Sequence, residues 1–217
     1  MDIEQARFNM IEQQIRTWEV LDQSVLDLLN EVHREVFVPD SYKELAFADI
    51  RIPLDHNQTM MSPKVEARIL QTLALKETDT VLEVGTGSGY LTALMAKQAN
   101  HVTSVDYYAD FIETSNTKLL QHGFTNIELV NNDVYKMLDS GEQYDVLVLT
   151  GSLPMMDKRF LDLVKTQGRM LVLIGESPVM EACLITKHDN DSWSHESLFE
   201  SDLPALIGAV EQEQFQF

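Results

Sequence analysis

Apolar residues recur along this chain with two different periods, and the change from one to the other divides it into two regions. In the first region the spacing is helical and predicts helices over 3–20, 24–32 and 63–75. Ser62 and Pro63 support the start of the last helix, because serine favours the N-cap and proline the first helical position. Between the second and third helices, residues 46–54 are predicted to be extended. Residues 1–75 are thus predicted to form a helical N-terminal extension packed on a core.

From Thr80 onwards, short apolar runs alternate with helical patterns. The predicted strands cover 81–84, 101–105, 127–130, 144–150 and 168–174, followed by two further strands over 182–186 and 197–200. The predicted helices cover 90–99, 109–122 and 157–164. Strands that alternate with helices in this way form a mostly parallel sheet with helices on both faces. Residues 76–217 are therefore predicted to be an α/β core, with a loose polar tail after Ala209.

Three alternate glycines stand where the first predicted strand of this core meets its first helix. Gly85, Gly87 and Gly89 follow Val84, and residues without a Cβ let the backbone pass close under a bound ligand. About 20 residues after Gly85, Asp106 follows the second strand, where a carboxylate suits ribose hydroxyls. The combination predicts a site for a cofactor that contains a nucleoside. An ordinary strand-to-helix turn is the alternative interpretation of the glycines.

Acidic residues around the glycines indicate which cofactor the site takes. Glu83 precedes the first glycine by two positions, and the glycine spacing differs from the dinucleotide fingerprint. This pattern is typical of S-adenosylmethionine-dependent methyltransferases with a Rossmann-like sheet. In such enzymes an acid after the third strand binds the adenine amino group, a role that Asp133 fits together with the N–H of Val134. Asp133 is also suited to a plain turn, and Tyr107 either stacks on adenine or packs against the sheet.

Four candidate contacts share one position relative to the predicted strands. Gly85, Asp106, Asp133 and Thr150 each fall at the carboxyl end of a strand. Ligands of open parallel sheets bind outside these ends. The sequence therefore predicts one crevice that all four residues surround.

Composition narrows the class of partner and the compartment. The chain has 35 acidic and 16 basic residues and a formal net charge of −19, which disfavours nucleic acids and anionic membrane surfaces. No apolar run approaches the roughly 18 to 20 residues that span a bilayer, and the N-terminal residues lack the regions of a signal peptide. Cys183 is the only cysteine, so no internal disulfide can form, and the six histidines lack metal-ligand spacing. We expect a cytoplasmic protein without a metal.

Beyond the glycine loop, the chain resembles protein-L-isoaspartate O-methyltransferases over roughly residues 10–175. The segments that carry the resemblance are Arg34-Glu35-x-Phe37-Val38-Pro39, Ile50-Arg51-Ile52-Pro53-Leu54, Gln58-Thr59, Pro63 with Ala67 and Arg68, 81–90, 103–106, and Leu149-Thr150 with Pro154. The resemblance implies a Rossmann-like methyltransferase core with added N- and C-terminal elements. It also implies methyl transfer from S-adenosylmethionine to the α-carboxylate of L-isoaspartyl residues, a reaction that starts the repair of damaged proteins.

The resemblance also implies which residues contact the cofactor and the acceptor. The implied cofactor contacts are Gln58, Thr59, Glu83, Gly85, Thr86, Gly87, Ser88, Gly89, Asp106, Tyr107, Asp133, Val134 and Thr150. The implied catalytic candidates are Thr59 and Ser62. The implied partner is a protein or peptide that offers a carboxylate.

Two departures from the family pattern lie on the acceptor side. Met61 stands where the family has a serine thought to act at the reaction centre, and Ser62 comes one position late. A shift of one residue at a helix start turns a side chain by about 100°, so Ser62 either acts in catalysis or serves only as an N-cap. Ser201-Asp202 replaces an Arg-Phe pair that helps to hold the substrate. We therefore expect slow transfer to isoaspartate or a less polar acceptor.

Two alternatives remain open at this point. A divergent methyltransferase on the same scaffold would act on a different carboxyl or hydroxyl acceptor. A non-catalytic module would bind S-adenosylmethionine as a sensor or as a scaffold for a partner.

Overall fold

The computed structural model describes residues 2–189 and 192–210, so the predicted polar tail lies almost wholly outside the described residues. The helices are α1 (Ile3–Asn9), α2 (Gln23–Glu31), α3 (Arg34–Phe37), α4 (Pro63–Leu73), α5 (Tyr90–Gln98) and α6 (Ala109–Gln121). The strands are β1 (Ile52–Pro53), β2 (Thr59–Met60), β3 (Thr80–Val84), β4 (His101–Asp106), β5 (Ile127–Asn131), β6 (Tyr144–Leu153), β7 (Val164–Glu176), β8 (Val179–Lys187) and β9 (Trp193–Ser201).

Seven of these strands form one sheet in the order β5-β4-β3-β6-β7-β8-β9. The first five run parallel, and β8 and β9 continue the sheet antiparallel. In the centre, β3 is buried on both faces, and its apolar residues Val81, Leu82 and Val84 pack there beside the buried Glu83. The prediction of a mostly parallel Rossmann-like sheet is confirmed. Because β3, β4 and β5 are neighbours, the segments that follow them meet at one edge.

The helical N-terminal region shares its apolar core with the sheet. The rings of Phe37 in α3 and Tyr90 in α5 lie 5.5 Å apart, and both side chains are fully buried. Residues of α2, of α4 and of the π turn that follows α1 belong to the same buried cluster as Val81 and Val102 of the sheet. The division at residue 75 stays a prediction about sequence regions, since the packing continues across it.

Arg34 joins this region to the start of α4. Its guanidinium is buried and donates to the carbonyl oxygens of Ala46 at 2.9 Å and Met61 at 2.6 Å. It also forms an ion pair with Glu66 and lies 5.0 Å from the ring centre of Tyr90. A buried charge needs several partners to offset its desolvation, so this arrangement fixes the backbone at Met61.

Two sequence predictions of local structure were wrong, and the first predicted helix is helical but changes its type along its length. Residues 157–164 contain the 3-10 turn Lys158–Leu163 instead of an α-helix, because Val164 already pairs with Tyr144 and leaves no length for one. Residues 46–54 are mostly turns, with only Ile52–Pro53 in β1. The first helix ends at Asn9 and continues as π and 3-10 turns to Trp18. Among the residues that the structure describes, no helix has the length and apolar character needed to cross a membrane.

Candidate functional site

A cavity lies at the carboxyl edge of β3, β4, β5 and β6, and we call it the glycine-loop cavity. The predicted residues that line it are Gln58, Thr59, Met61, Glu83, Gly85, Thr86, Gly87, Ser88, Asp106, Tyr107, Asp133, Val134 and Thr150. Two predicted residues, Gly89 and Ser62, are not among its lining residues. The crevice predicted from the four strand ends is therefore present in the structure.

Gly85 is required by the close approach of two strands. Its φ is +104°, and a Cβ at this position would lie 2.1 Å from Oγ1 of Thr150. That hydroxyl lies 2.8 Å from the carbonyl oxygen of Val84 and 2.7 Å from that of Gly85. Gly89 has a different function, since its Cβ would meet the side chain of Ser115 at 2.9 Å. Gly89 thus lets α5 pack closely on α6 rather than line the cavity.

Asp106 is held in place by backbone N–H groups. Its Oδ2 accepts from the N–H of Gly87 at 2.9 Å, and its Oδ1 accepts from that of Tyr108 at 2.9 Å. Burial raises the pKa of this carboxyl, and the two N–H donors oppose that rise. Each carboxylate oxygen has more than one acceptor position, so Asp106 can still accept hydrogen bonds from hydroxyls in the cavity.

Glu83 forms the polar floor of the cavity. Its Oε2 accepts from the hydroxyls of Thr92 and Ser104. Its Oε1 is also buried and has no hydrogen-bond partner among the described residues. Burial raises the pKa of Glu83 to about 8. An unpartnered buried acceptor is unfavourable on its own, and a cationic donor in the cavity would satisfy it.

Asp133 combines the two functions that the sequence left open. Its side chain accepts from the N–H of Tyr135 at 3.0 Å and caps a 3-10 turn, Val134–Lys136. It also lines the cavity together with Val134 and Asn132. The turn therefore positions a carboxylate and a backbone N–H at the end of β5.

The loop that contains Gln58 and Thr59 closes one side of the cavity. His56 and Asn57 both have a φ of +56°, and His56 stacks on Tyr108 with ring centres 3.8 Å apart. His56 also lies 3.0 Å from the carboxylate of Asp110. Oγ1 of Thr59 is buried and has no hydrogen-bond partner within the described chain. A second polar atom without a partner thus lies in the lining of the cavity.

Met61, and not Ser62, lines the glycine-loop cavity. Ser62 occupies the N-cap position of α4, but its side chain makes no capping hydrogen bond. Ser62 instead lines a second cavity, whose other lining residues include Trp18, Arg51, Met61, Lys64 and Asp202. Met61 lines both cavities, so its side chain lies where they meet.

The last part of the cavity wall was not among the site residues predicted from the sequence. Pro204, Ala205, Leu206 and Ile207 line the glycine-loop cavity. Two backbone hydrogen bonds hold this segment against Ser152 in β6. The N–H of Ser152 donates to the carbonyl oxygen of Pro204 at 2.9 Å, and the N–H of Leu206 donates to the carbonyl oxygen of Ser152 at 2.8 Å. A short segment that pairs after a bulge has no periodicity of its own. Pro204 itself, which matches the family pattern, was the available signal.

Glu181, Cys183 and His195 form a group that sequence spacing did not indicate. One potential ligand atom of each lies within 4.8 Å of the others, because antiparallel pairing of β8 and β9 brings them together. Burial raises the pKa of Cys183 to about 11, and its thiol lies 3.8 Å from Oε2 of Glu181.

Comparison with known proteins shows which family the chain belongs to. The family model for Protein-L-isoaspartate(D-aspartate) O-methyltransferase matches residues 5–204. A protein-L-isoaspartate O-methyltransferase 2 of Archaeoglobus fulgidus is 32% identical, with 82% of each chain covered. One of the same name from Pelobacter propionicus is 30% identical, with 95% of this chain and 92% of the relative covered.

A solved structure supports the fold. The Plasmodium falciparum chain is described as a beta-aspartate methyltransferase in complex with S-adenosyl-L-homocysteine. It superimposes with a TM-score of 0.78 at 20% identity, covering 91% of this chain and 96% of that one. The family model spans almost the whole described chain, including the glycine loop and the wall at Pro204. This chain therefore belongs to the protein-L-isoaspartate(D-aspartate) O-methyltransferase family.

Proposed function

We propose that this protein transfers a methyl group from S-adenosylmethionine to the α-carboxylate of L-isoaspartyl residues in proteins. The observation that carries the proposal is the convergence of Glu83, Asp106 and Asp133, from three neighbouring strands, on one cavity that adjoins a second one. The family provides the reaction, and the cavity provides a place for both reactants.

The lining residues fit S-adenosylmethionine group by group. Oε1 of Glu83 needs a donor, and the ammonium of the methionine part supplies one. Asp106 would accept from the ribose hydroxyls, and Asp133 with the N–H of Val134 would bind the adenine. Gly85 lines the cavity and lets the end of β3 lie directly against Thr150. These assignments carry over the roles that the sequence predicted.

Methyl transfer of this kind needs alignment more than acid–base catalysis. A carboxylate acceptor is already ionised at neutral pH, and the bound cofactor supplies a methyl group on a positively charged sulfur. The chain has to align the acceptor oxygen with that methyl group and exclude water. The Met61 side chain excludes water, and Oγ1 of Thr59 can donate a hydrogen bond to the acceptor. Such a bond to a charged group is worth about 1.5–3 kcal/mol.

Met61 favours one variation on this function. A thioether provides a flexible apolar surface where the family has a hydroxyl, so a less polar carboxyl acceptor would fit the cavity better than isoaspartate. The charge of −19 supports a protein substrate over a nucleic acid. The lone buried Cys183 suits a reducing compartment such as the cytoplasm.

The test is labelled methyl transfer to an isoaspartyl peptide by the wild-type chain, Met61→Ser and Thr59→Val. We expect slow transfer by the wild type, faster transfer by Met61→Ser, and about a tenfold or greater loss in Thr59→Val, which follows from the hydrogen bond above. The matching aspartyl peptide is the control. Binding of S-adenosylhomocysteine without transfer to any carboxyl peptide would refute the proposal and favour a binding module.

A further inference from the structure

The second cavity adjoins the glycine-loop cavity at Met61, which lines both. Antiparallel pairing of β1 with β2 joins Ile52 to Met60 and Pro53 to Thr59. Arg51 precedes β1 and Met61 follows β2, so the two residues flank this pairing, and both line the second cavity. Met61 also lines the glycine-loop cavity.

Arg51 is one of two cationic side chains that line the second cavity. Asp202 orients its guanidinium without using all of its N–H donors. Its Nη1 donates to the carbonyl oxygen of Asp202 at 2.6 Å, and its Nη2 lies 2.9 Å from Oδ2 of the same residue. A guanidinium has five N–H donors, and 43% of the Arg51 side chain is exposed. The guanidinium therefore has donors left for a further acceptor, and Arg51 is among the lining residues of the second cavity.

Lys64, the second cation, has less freedom. Its Nζ lies 2.7 Å from Oδ2 of Asp49 and 3.7 Å from the ring centre of Trp18. Only 21% of its side chain is exposed. An ammonium held between a carboxylate and an indole ring offers fewer free donors than Arg51 does.

The net charge of the chain makes a cation such as Arg51 important for binding an anionic acceptor. A chain with a net charge of −19 repels an anionic acceptor at long range. The lining of the second cavity also contains the acids Asp49, Glu200 and Asp202, so a carboxylate can bind there only through the donors of a cation. The planar guanidinium of Arg51 matches the geometry of a carboxylate. Asp202 keeps the guanidinium in one orientation, which reduces the entropy lost when a second carboxylate binds.

We propose that the second cavity binds the acceptor segment and that Arg51 holds one oxygen of the acceptor carboxylate. The other oxygen then points past Met61 toward the methyl group. Ser201 and Asp202 stand where the family has a basic residue, so Arg51 supplies the positive charge from the facing loop. This inference rests on the proposed function, because it names the residue that selects a charged acceptor.

The experiment compares two peptides that differ only in charge. One contains an isoaspartyl residue and the other contains isoasparagine, its neutral amide. Binding of each fluorescein-labelled peptide is measured by anisotropy in the presence of S-adenosylhomocysteine. The proteins are the wild type, Arg51→Gln, Arg51→Lys and the matched control Lys97→Gln, which removes an exposed cation paired with Glu31 elsewhere on the surface.

We expect the wild type and Lys97→Gln to prefer the acid over the amide by about tenfold or more, as a charge-assisted bond would give. Arg51→Gln should bind both peptides within about twofold of each other, while Arg51→Lys retains part of the preference. Equal weakening of both peptides in Arg51→Gln, or no preference in the wild type, would overturn the inference. A preference that Arg51→Gln removes, without any methyl transfer, would refute the proposed function and leave the carboxylate site standing.

Discussion

Replacing Glu83 with glutamine tests the electrostatics of the site most directly. The substitution keeps the shape of the side chain and retains one oxygen that can accept from Thr92 and Ser104. It removes the ability to carry a negative charge on the floor of the cavity. Because burial raises the pKa of Glu83 to about 8, about nine-tenths of these carboxyls are neutral at pH 7 in the protein without ligand.

Binding of a ligand ammonium should reverse this protonation. The cation favours the carboxylate, so binding at pH 7 releases close to one proton from Glu83. The charge-assisted hydrogen bond contributes about 1.5–3 kcal/mol. Ionising the group consumes about 1.4 kcal/mol for each pH unit below its pKa. Glu83→Gln should therefore bind about 10- to 100-fold more weakly at pH 8 and nearly as well as the wild type at pH 6.

Isothermal titration calorimetry with S-adenosylhomocysteine measures both quantities. Titrations in phosphate and in Tris, whose ionisation enthalpies differ, give the number of protons released. The ligand's own amino group also exchanges a proton, and the Glu83→Gln protein reports that contribution separately. If both proteins release the same number of protons, or if the affinity gap does not grow from pH 6 to pH 8, the reasoning about Glu83 is wrong.

Two further predictions concern stability. Gly85→Ala should lower the free energy of unfolding by about 1–3 kcal/mol and weaken ligand binding, because the φ of Gly85 is +104° and the added Cβ meets Thr150. Urea denaturation measures the change, and Gly141→Ala is the control for backbone strain alone, since Gly141 has a φ of +78° and open space around it. In the protein without ligand, the folded state keeps the proton of Glu83 up to about pH 8, whereas the unfolded state loses it near the ordinary pKa of 4.5. The free energy of unfolding should therefore fall by up to about 1.4 kcal/mol per pH unit between pH 4.5 and about pH 8. Urea denaturation at pH 5, 6.5 and 8 should show a smaller fall in Glu83→Gln, and an equal fall in both proteins would contradict this assignment.

Much of the fold followed from periodicity, because each buried strand and each amphipathic helix has to match its neighbours. The β3 and α5 boundaries at Val84 and Tyr90 agree with the glycine pattern between them. The 3-10 turn before Val164 could not be predicted, since its form depends on where β7 begins to pair with β6. The register between two strands cannot be predicted from the local sequence of one of them.

The cofactor side of the site was more accessible to sequence reasoning than the acceptor side. Carboxyl ends of parallel strands meet by topology, so the positions of Asp106 and Asp133 relative to their strands were informative. The position of Arg51 depends on a two-residue strand and on contact with Asp202, which lies far away in the sequence. No periodic pattern reports such a contact.

The carbonyl oxygen of Met61 accepts a hydrogen bond from Arg34, and the same residue lines the glycine-loop cavity. The main chain at this point is thus anchored from the N-terminal region, whatever side chain it carries. Methionine in place of the family's serine can change which methyl acceptors bind, while the path of the main chain stays the same. New substrate preferences can therefore evolve at this position through single substitutions, whereas loss of the Arg34 anchor would release the cavity wall itself.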